Sequence, residues 1–167
     1  MLTDIIDKDL KILFCGLNPG LKSAWDGHHF SGRSNRFWKA LNQAGFTPYE
    51  IDPLNDASIL DFGYGLTTAV SRATSRADEL TKDEFTSAIE IFKNKITYYQ
   101  PKYIAFLGKA AYMAFSGKKH LAWGCQEEKF CGASVWILPN PSGLNRGFTL
   151  NGLVEHYKAL YTAVSRE

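Results

Sequence analysis

The sequence predicts an α/β fold in which helices flank a mainly parallel β-sheet. Short apolar segments alternate along the chain with amphipathic ones, and no internal repeat interrupts that order. Strand–loop–helix units of this kind form parallel sheets through right-handed crossovers. Two of the apolar segments also run directly into loops rich in Asn, Pro and Gly. Since open α/β sheets bind ligands beyond the carboxyl ends of their strands, we expect a site where these loops lie.

Three segments are predicted to be strands covered on both faces, because each is a nearly continuous apolar run. They are residues 11–15 (Lys-Ile-Leu-Phe-Cys), 103–107 (Tyr-Ile-Ala-Phe-Leu) and 134–138 (Ser-Val-Trp-Ile-Leu). Residues 46–80 are interrupted by Pro48, Pro53, Gly63 and Gly65. That stretch is therefore predicted to be mostly loop with one short helix.

Four helices are predicted from caps and apolar spacing. Ser34 or Asn35 can cap a first helix that ends at Gly45. Residues 81–84 (Thr-Lys-Asp-Glu) form a capping box before an apolar stripe at positions 85, 89, 92, 96 and 99. A third helix opens at Gly108. The last helix has an inner face made of Leu150, Leu153, Val154, Tyr157, Leu160, Tyr161 and Val164.

Composition limits the class of protein. The chain has 167 residues, 45% apolar and 22% charged, which is typical of one globular domain spanning residues 1–167. Its 19 Lys+Arg and 17 Asp+Glu leave a formal charge of +2, so the chain as a whole is not strongly basic. No apolar run reaches about 18 residues and no signal segment is recognised, so we expect no membrane span and a cytoplasmic protein, nucleoid-associated if bacterial. No oligomerisation stripe is apparent, so we expect a monomer.

Three cysteines, Cys15, Cys125 and Cys131, exclude two classes of site. They cannot pair into a closed disulfide framework, and they are too few for the four thiolates of a typical iron–sulfur cluster. The spacing between Cys125 and Cys131 is not that of a zinc ribbon. We therefore expect neither a metal nor another cofactor.

Two loops share an Asn-Pro step directly after a predicted strand. They are residues 16–20 (Gly-Leu-Asn-Pro-Gly) and 140–146 (Asn-Pro-Ser-Gly-Leu-Asn-Arg). Proline pushes the preceding Asn into an extended conformation, which displays an amide donor and acceptor at the strand end. Asn-Pro is also ordinary turn chemistry, so one such loop alone would carry little weight. Their matched positions favour a shared site.

These two loops resemble the signature motifs of the uracil-DNA glycosylase superfamily, specifically those of its mismatch-specific uracil/thymine-DNA glycosylase family. Further similarity lies at residues 27–30 (Gly-His-His-Phe), 35–39 (Asn-Arg-Phe-Trp-Lys) and 100–109 and in the closing helix, so it covers essentially the whole chain. The resemblance implies a three-layer α/β fold with a central, mainly parallel four-stranded sheet flanked by helices. Sister families with Asp in the first loop and His in the second are disfavoured, because both positions are Asn here.

The resemblance also implies a base-excision repair enzyme. Such an enzyme flips uracil out of a G-mismatched duplex, hydrolyses its N-glycosidic bond and leaves an abasic site. Its partner would be double-stranded DNA containing G:U or G:T mismatches. No lysine occupies either loop, so we expect a monofunctional glycosylase without lyase activity.

By the same resemblance, Asn18 and Asn140 would be the catalytic residues. Asn18 would orient the attacking water, and Asn140 would contact the flipped base or its sugar. An amide takes up no proton near neutral pH, so such a mechanism depends on positioning and on stabilising the departing base.

Other roles implied by the resemblance fall into three groups. The base-binding pocket would comprise Gly16, Leu17, His29, Phe30 and Ser142, with Phe30 as the stacking platform and His29 beside the C5 edge of the pyrimidine. The wedge and the contacts to the opposite strand would be Gly143, Leu144, Asn145 and Arg146. Phosphate contacts would come from Lys22 and Ser142.

Two departures from the family pattern bear on substrate choice. Residues 27–29 (Gly-His-His) look like the thymine-processing branch, whereas Gly143-Leu144 looks like the bacterial uracil branch, in which Ser is commoner at the position of Asn145. We expect uracil opposite guanine to be the main substrate and thymine at most a weak one.

Three other functions stay open. A DNA-mismatch-binding module of the same fold, weakly active or inactive, would carry the same motifs. A phosphate-loop enzyme is disfavoured, because Ala110 follows Lys109 and residue 103 is Tyr where the pattern needs Gly. A hydrolase that uses Cys15 as nucleophile has no His placed near it by sequence.

Charge is distributed unevenly along the chain. Nine of the 17 acidic residues lie between positions 50 and 90, whereas none occurs in residues 27–49, 101–126 or 129–154. Those acid-free stretches hold Arg33, Arg36, Lys39, Lys102, Lys109, Lys118, Lys119, Lys129 and Arg146. One basic DNA-facing surface and one acidic back are therefore predicted.

Overall fold

The computed structural model describes residues 2–167. Its strands are β1 Ile12–Gly16, β2 Tyr64–Thr68, β3 Tyr103–Leu107, β4 Gly124–Cys125 and β5 Ser134–Leu138. Its α-helices are α1 Leu21–Asp26, α2 Phe37–Gln43, α3 Lys82–Tyr99, α4 Ala110–Ser116 and α5 Leu150–Ser165. Two 3₁₀ helices cover Pro53–Phe62 and Ala77–Glu79.

The strands form one sheet in the order β2-β1-β3-β5-β4. The first four in that order are parallel, and β4 pairs antiparallel with β5. The predicted mainly parallel sheet flanked by helices is confirmed. It has five strands rather than four, because the two-residue β4 adds an antiparallel edge.

Helices cover both faces of the sheet, which gives three layers. Side chains alternate along β1, so Phe14 joins the core beneath α2 and α5 while Leu13 joins the core beneath α3 and α4. Both side chains are fully buried. Burial of each such side chain stabilises the fold by about 1.5–3 kcal/mol.

β2 corrects the prediction for residues 46–80, which are not mostly loop. A Cβ at Gly65 would lie 2.5 Å from a Leu10 side-chain carbon and 2.6 Å from the Ile5 carbonyl oxygen. The N-terminal segment pairs antiparallel with β2 at this point, where Ile5 and Leu66 exchange backbone hydrogen bonds. The glycine that suggests a chain break in the sequence is therefore a close approach of two backbones within a sheet.

The four predicted helices are present with shifted ends, and α1 is an additional helix that the sequence did not predict. The Thr81 side chain accepts a hydrogen bond from the Glu84 N–H, and the Glu84 side chain bonds back to Thr81, which confirms the capping box. The N-cap of α2 is Arg36 rather than Ser34 or Asn35, although the Asn35 Oδ1 accepts a hydrogen bond from the N–H of Phe37. α4 begins two residues after Gly108, whose φ of +101° is not helical.

No helix within residues 2–167 is long and apolar enough to cross a membrane.

Candidate active site at the carboxyl edge of the sheet

A pocket of about 380 Å³ opens at the carboxyl edge of the sheet. Gly16, Thr68 and Leu107, the last residues of β1, β2 and β3, all line it, and so does Asn140 just after β5. This volume lies in the range of about 300–1,000 Å³ that small-molecule sites occupy. The two Asn-Pro loops therefore meet around one cavity, as their positions in the sequence predict.

Most of the residues singled out from the sequence surround this pocket. Nine of them line it: Gly16, Leu17, Asn18, His29, Phe30, Asn140, Ser142, Gly143 and Leu144. Three of them, Lys22, Asn145 and Arg146, are not part of the lining.

The first loop, residues 16–20, is held by the backbone that follows β2. The carbonyl groups of Gly16, Leu17 and Pro19 accept hydrogen bonds from three N–H groups in that segment, at 2.9 to 3.1 Å. These bonds extend the pairing of β1 with β2 beyond the strand ends. The N–H groups of Leu17 and Asn18 have no hydrogen-bond partner among residues 2–167, so two adjacent donors remain available at the pocket wall.

The side-chain amide of Asn18 has a defined orientation. Its Nδ2 donates to the Arg72 carbonyl oxygen at 2.7 Å and to Thr74 Oγ1 at 2.9 Å. A backbone carbonyl can only accept, so the nitrogen must lie on that side. The Asn18 Oδ1 makes no hydrogen bond within the described chain. Asn18 therefore offers a fixed acceptor at the pocket.

The side-chain amide of Asn140 is oriented the opposite way. Its Oδ1 accepts from the N–H of Ser142 at 2.9 Å, and a backbone N–H can only donate. The Asn140 Nδ2 makes no hydrogen bond to any described residue, so this side chain offers a donor. The two loops thus present an acceptor, from Asn18, and a donor, from Asn140, at the same pocket.

Arg36, just before α2, holds the second loop in place. Its Nη2 donates to the carbonyl oxygens of Ser142 and Asn145, at 3.0 and 2.9 Å. Its Nη1 donates to the Phe148 carbonyl oxygen at 2.6 Å, and its Nε to that of Pro141 at 3.4 Å. The sequence marks Arg36 only as a basic residue in an acid-free stretch. No local pattern shows that it reaches residues more than 100 positions away.

Gly143 and Leu144 lie at the rim of the pocket. A Cβ at Gly143 would lie 2.4 Å from the Ser34 Cβ, so only glycine lets the loop approach this closely. Leu144, the next residue, is 65% exposed. An exposed apolar side chain on a loop anchored from behind has the form of a wedge.

The three predicted contacts outside the lining differ in their surroundings. Asn145 closes its own loop, because its Nδ2 donates to the Asn140 carbonyl oxygen at 2.9 Å. Lys22 pairs with Asp26 at 2.7 Å along α1. Arg146 is exposed and makes no salt bridge within residues 2–167.

A buried carboxylate anchors the corner of the chain that carries His28 and His29. Asp56 accepts from the N–H of His29 at 2.8 Å and lies 3.2 Å from Nδ1 of His28. His29 is 2% exposed, and its Nε2 donates to the Thr3 carbonyl oxygen at 2.8 Å. Burial lowers the pKa of His29 below its usual value of 6.5, so the imidazole is neutral at pH 7. Neither Asp56 nor Thr3 carries a sequence signal for this role.

Phe30 is held beside the first loop with its ring backed by another aromatic ring. It stacks on Phe37 with ring centroids 4.2 Å apart and an interplanar angle of 25°. Its φ is +54°, a conformation that costs free energy for a bulky residue. A Cβ at Gly16 would lie 3.9 Å from the Phe30 ring. The ring is thus a half-buried wall of the pocket suited to stacking a flat ligand.

Acidic side chains are missing from the part of the pocket wall that residues 2–167 form. No Asp or Glu occurs among the described residues that line it, and His29 is neutral. The site therefore offers hydrogen-bond donors, acceptors and an aromatic face, but no carboxylate to remove a proton. Any reaction there depends on orientation and on stabilisation of developing charge.

Residues 74–77 form a wall of the pocket that the sequence does not reveal. Thr74, Ser75, Arg76 and Ala77 line it, and they belong to the stretch predicted to be mostly loop. Thr74 also receives the Asn18 side-chain hydrogen bond. Because this wall is assembled by the crossover after β2, missing that strand also hides the wall.

The alternative sites lose support from the structure. Cys15 is buried on β1, and its pKa is raised mainly by burial, which disfavours the thiolate. Lys109 lies over the Trp123 ring, 4.4 Å from its centroid. Within residues 2–167, no group of three or more His, Cys, Asp or Glu side chains is arranged to hold a metal ion.

The predicted basic surface is smaller than the acid-free stretches indicate. The guanidinium of Arg36 is hydrogen-bonded to backbone carbonyl groups in and just after the second loop. Lys102 precedes β3 and so lies at the edge of the sheet opposite the pocket. Lys118 lies 3.6 Å from Glu128. These three basic side chains are therefore not available to a ligand at the carboxyl edge.

Comparison with known proteins agrees with this architecture. A family model described as "Uracil DNA glycosylase superfamily" matches residues 3–162. The solution NMR structure of a protein from Methanosarcina acetivorans, described as a "putative Uracil DNA glycosylase", is similar with a TM-score of 0.68. That similarity covers 98% of this chain and 96% of the other at 19% sequence identity, so it bears on the fold alone.

Proposed function

The chain belongs to the uracil-DNA glycosylase superfamily, and we propose that it excises uracil from G-mismatched duplex DNA and leaves an abasic site. The observation that carries this proposal is the pair of oppositely oriented amides in one pocket without a carboxylate. Asn18 offers an oxygen whose amide nitrogen is already bonded, and Asn140 offers a nitrogen that makes no other hydrogen bond among residues 2–167. Hydrolysis of an N-glycosidic bond needs an acceptor to orient water and a donor for the departing base.

In the proposed reaction, the flipped nucleotide enters the pocket and its base stacks on Phe30. The Asn18 Oδ1 accepts a hydrogen bond from a water molecule and orients its oxygen toward C1′ of the sugar. The bond between C1′ and the base nitrogen breaks, and both electrons leave with the base. Asn140 Nδ2 and the N–H groups of Leu17 and Asn18 stabilise the resulting anion, and the water oxygen bonds to C1′ while its proton passes to solvent.

The residues at and beyond the rim of the pocket are proposed to supply the wedge and the contacts to the opposite strand. Leu144 would fill the space that the flipped base leaves in the duplex. Arg146, which is exposed beyond it, would contact the opposite strand at the guanine. Asn145 would act through its hydrogen bond to Asn140, which keeps the loop closed.

Uracil opposite guanine is the proposed main substrate, and thymine at most a weak one. His29 is one wall of the pocket and is buried and tethered, so it cannot easily move aside for the extra methyl group of thymine. A single-turnover assay on U·G, T·G and U·A duplexes tests this order directly. Faster cleavage of T·G than of U·G would contradict it.

The same assay separates an enzyme from a mismatch-binding module. A module would bind the U·G duplex without releasing uracil, whereas the proposed enzyme releases it at a rate well above the rate without protein. A monofunctional enzyme also forms no covalent adduct with DNA on borohydride treatment. Binding should weaken steeply as salt rises, because phosphate contacts release counterions.

A further inference from the structure

Arg76 differs from the other side chains at the pocket because it carries a permanent charge. Among the described residues that line the pocket it is the only Lys or Arg, and none is Asp or Glu. Its side chain is 66% exposed, so the charge lies at the opening of the pocket rather than deep inside. A cation at the opening of a site whose described lining holds no carboxylate favours a ligand with negative charge.

Two hydrogen bonds place Arg76 on the Asn18 side of the pocket. The Asn18 Nδ2 donates to Thr74 Oγ1 at 2.9 Å, and that hydroxyl donates to the Arg76 carbonyl oxygen at 2.7 Å. The Thr74 N–H also donates to the Pro19 carbonyl oxygen at 3.1 Å, so the segment that carries Arg76 lies against the first loop. Thr74 is 5% exposed, so these bonds are shielded from water. The backbone of Arg76 is therefore fixed beside the residue proposed to orient the attacking water.

The guanidinium of Arg76 keeps donors that its own chain does not use. Its Nε donates to Asp78 Oδ1 at 3.1 Å, whereas Nη1 and Nη2 make no hydrogen bond within residues 2–167. Both members of this ion pair are exposed, and an exposed pair contributes little stability. Two nearby carboxylates are engaged elsewhere, because Glu79 accepts from the Arg76 N–H at 2.7 Å and Glu84 pairs with a different arginine. The outer edge of the planar guanidinium is thus available to a bidentate acceptor such as a phosphate.

We propose that Arg76 binds one of the two phosphates that flank the flipped nucleotide. This inference rests on the proposed function, because it takes the pocket occupant to be a nucleotide whose C1′ lies next to Asn18. The phosphates are joined to the same sugar through C3′ and C5′, so the strand leaves the pocket at its sugar end. Arg76 is the charged side chain at that end, and its contact would hold the nucleotide in the flipped position. It would also offset the carboxylate of Asp78, which otherwise repels the strand.

The test combines variants of Arg76 with duplexes from which one phosphate charge has been removed. Each probe is a U·G duplex that carries a hydrolysis-resistant 2′-fluoro-deoxyuridine. One version has normal phosphates, and two others have a neutral methylphosphonate on the 5′ or on the 3′ side of that nucleotide. Fluorescence anisotropy gives the affinity of wild type, Arg76→Gln, Arg76→Lys and the control Arg166→Gln for each probe.

Arg166 is a matched control because it is also an exposed arginine but lies far from the pocket. It follows directly after α5, whose last residue is Ser165. Ser165 lines a separate cavity together with Lys11 and Lys102, which precede β1 and β3. Arg166 therefore lies at the amino edge of the sheet, opposite the pocket.

We expect Arg76→Gln to weaken binding of the normal duplex roughly 10-fold, the loss of one charged hydrogen bond. The slope of log affinity against log salt should fall by about 0.9, since one phosphate contact is lost. One of the two methylphosphonates should weaken wild type by a similar factor but change Arg76→Gln by less than about 2-fold. Arg76→Lys should retain part of the affinity, because an ammonium group contacts a phosphate as a point charge. Arg166→Gln should equal wild type.

Two results would overturn the inference. One is that Arg76→Gln binds the normal duplex as tightly as wild type does. The other is that each methylphosphonate weakens Arg76→Gln by the same factor as wild type, which would show that Arg76 contacts neither phosphate. Release of uracil from an ordinary U·G duplex is measured separately. Excision without coupling between Arg76 and a phosphate removes only this contact, whereas coupling without excision removes only the proposed activity.

Discussion

The two Asn-Pro loops line one pocket but are held in place by different interactions. The first loop continues the sheet, since three of its carbonyl groups bond to the backbone after β2. The second loop lies beyond β5 and has one such bond to a neighbouring segment, from the Arg36 N–H to the Pro141 carbonyl oxygen at 3.0 Å. The guanidinium of Arg36 instead binds three of its carbonyl oxygens and that of Phe148, which follows it.

The first loop is thus stabilised by several separate hydrogen bonds, whereas most of those that stabilise the second loop come from one side chain. Loss of one backbone hydrogen bond from the first loop costs about 0.5–1.5 kcal/mol and leaves the others in place. Loss of Arg36 removes every bond that its guanidinium makes, and bonds to a charged donor are worth about 1.5–3 kcal/mol each. The first loop should therefore tolerate side-chain changes around it, whereas the second should depend on single residues.

The largest effect is expected from removing the acceptor of the first loop. Asn18→Ala should lower the single-turnover rate of uracil excision on the order of 10²- to 10³-fold, because the attacking water loses its orientation. Affinity for the U·G duplex should stay within about 2-fold of wild type, since the loop backbone is held independently of this side chain. The exposed Asn94→Ala on α3 is the control. Unchanged excision would remove Asn18 from the mechanism.

The next largest effect is expected from removing Arg36, the side chain that makes most of the hydrogen bonds to the second loop. Arg36→Ala should lower excision about 10²-fold by displacing Asn140 and the wedge, with a loss of about 1.5–3 kcal/mol or more in the free energy of unfolding. Arg36→Lys should recover only part of the rate, because an ammonium group cannot match the planar fork. Single-turnover rates, duplex affinities and urea unfolding give the three quantities.

Arg72 provides the matched comparison for Arg36. Its carbonyl oxygen accepts a hydrogen bond from Asn18. Its side chain, which is 52% exposed, pairs with Glu84 on the surface at 2.5 Å. Arg72→Ala should therefore cost about 0.2–1 kcal/mol and leave excision nearly unchanged. Equal losses in Arg36→Ala and Arg72→Ala would show that the two loops do not differ as inferred.

A smaller effect is expected from adding one methyl group to each loop. At Gly143 the new Cβ would overlap Ser34, which costs about 1–3 kcal/mol of strain and should slow excision roughly 10-fold. At Gly20 nothing lies within 4 Å of a new Cβ, so Gly20→Ala should behave like wild type. Ser34→Gly should partly rescue Gly143→Ala in the same kinetic assay. No rescue would mean that the overlap with Ser34 is not the cause.

The smallest effect concerns His29, which belongs to neither loop. Its pKa is lowered in the folded state, so the unfolded chain binds the proton more readily below pH 6.5. Stability should thus fall as the pH drops through 6.5 and level off below the lowered pKa, by at most about 1.4 kcal/mol per pH unit. His29→Asn should show a smaller dependence in urea unfolding at pH 7 and pH 5. An equal dependence in both proteins would assign it to other groups.

Much of the fold could be predicted because local chemistry determines it. The apolar runs at β1, β3 and β5 and the capping box before α3 depend on residues close together in the sequence. β2 could not be predicted in this way, because Gly65 suggests a break in the chain. Its reason is the close approach of the N-terminal backbone at Ile5, which only the tertiary structure shows. The wall at residues 74–77 was missed for the same reason.

The sequence by itself indicated which two loops line the pocket, since an Asn-Pro step after an apolar strand has a definite local geometry. The resemblance of its motifs to a known family also indicated Asn18, Asn140 and Phe30 as candidate site residues. Only the tertiary structure decided which atom each amide presents, because the partners of Asn18 lie more than 50 positions away. The same is true of Arg36, whose hydrogen bonds exist only once α2 packs beside the second loop. Interactions between distant segments leave no periodic or local pattern in a sequence, and these interactions orient the groups at the pocket.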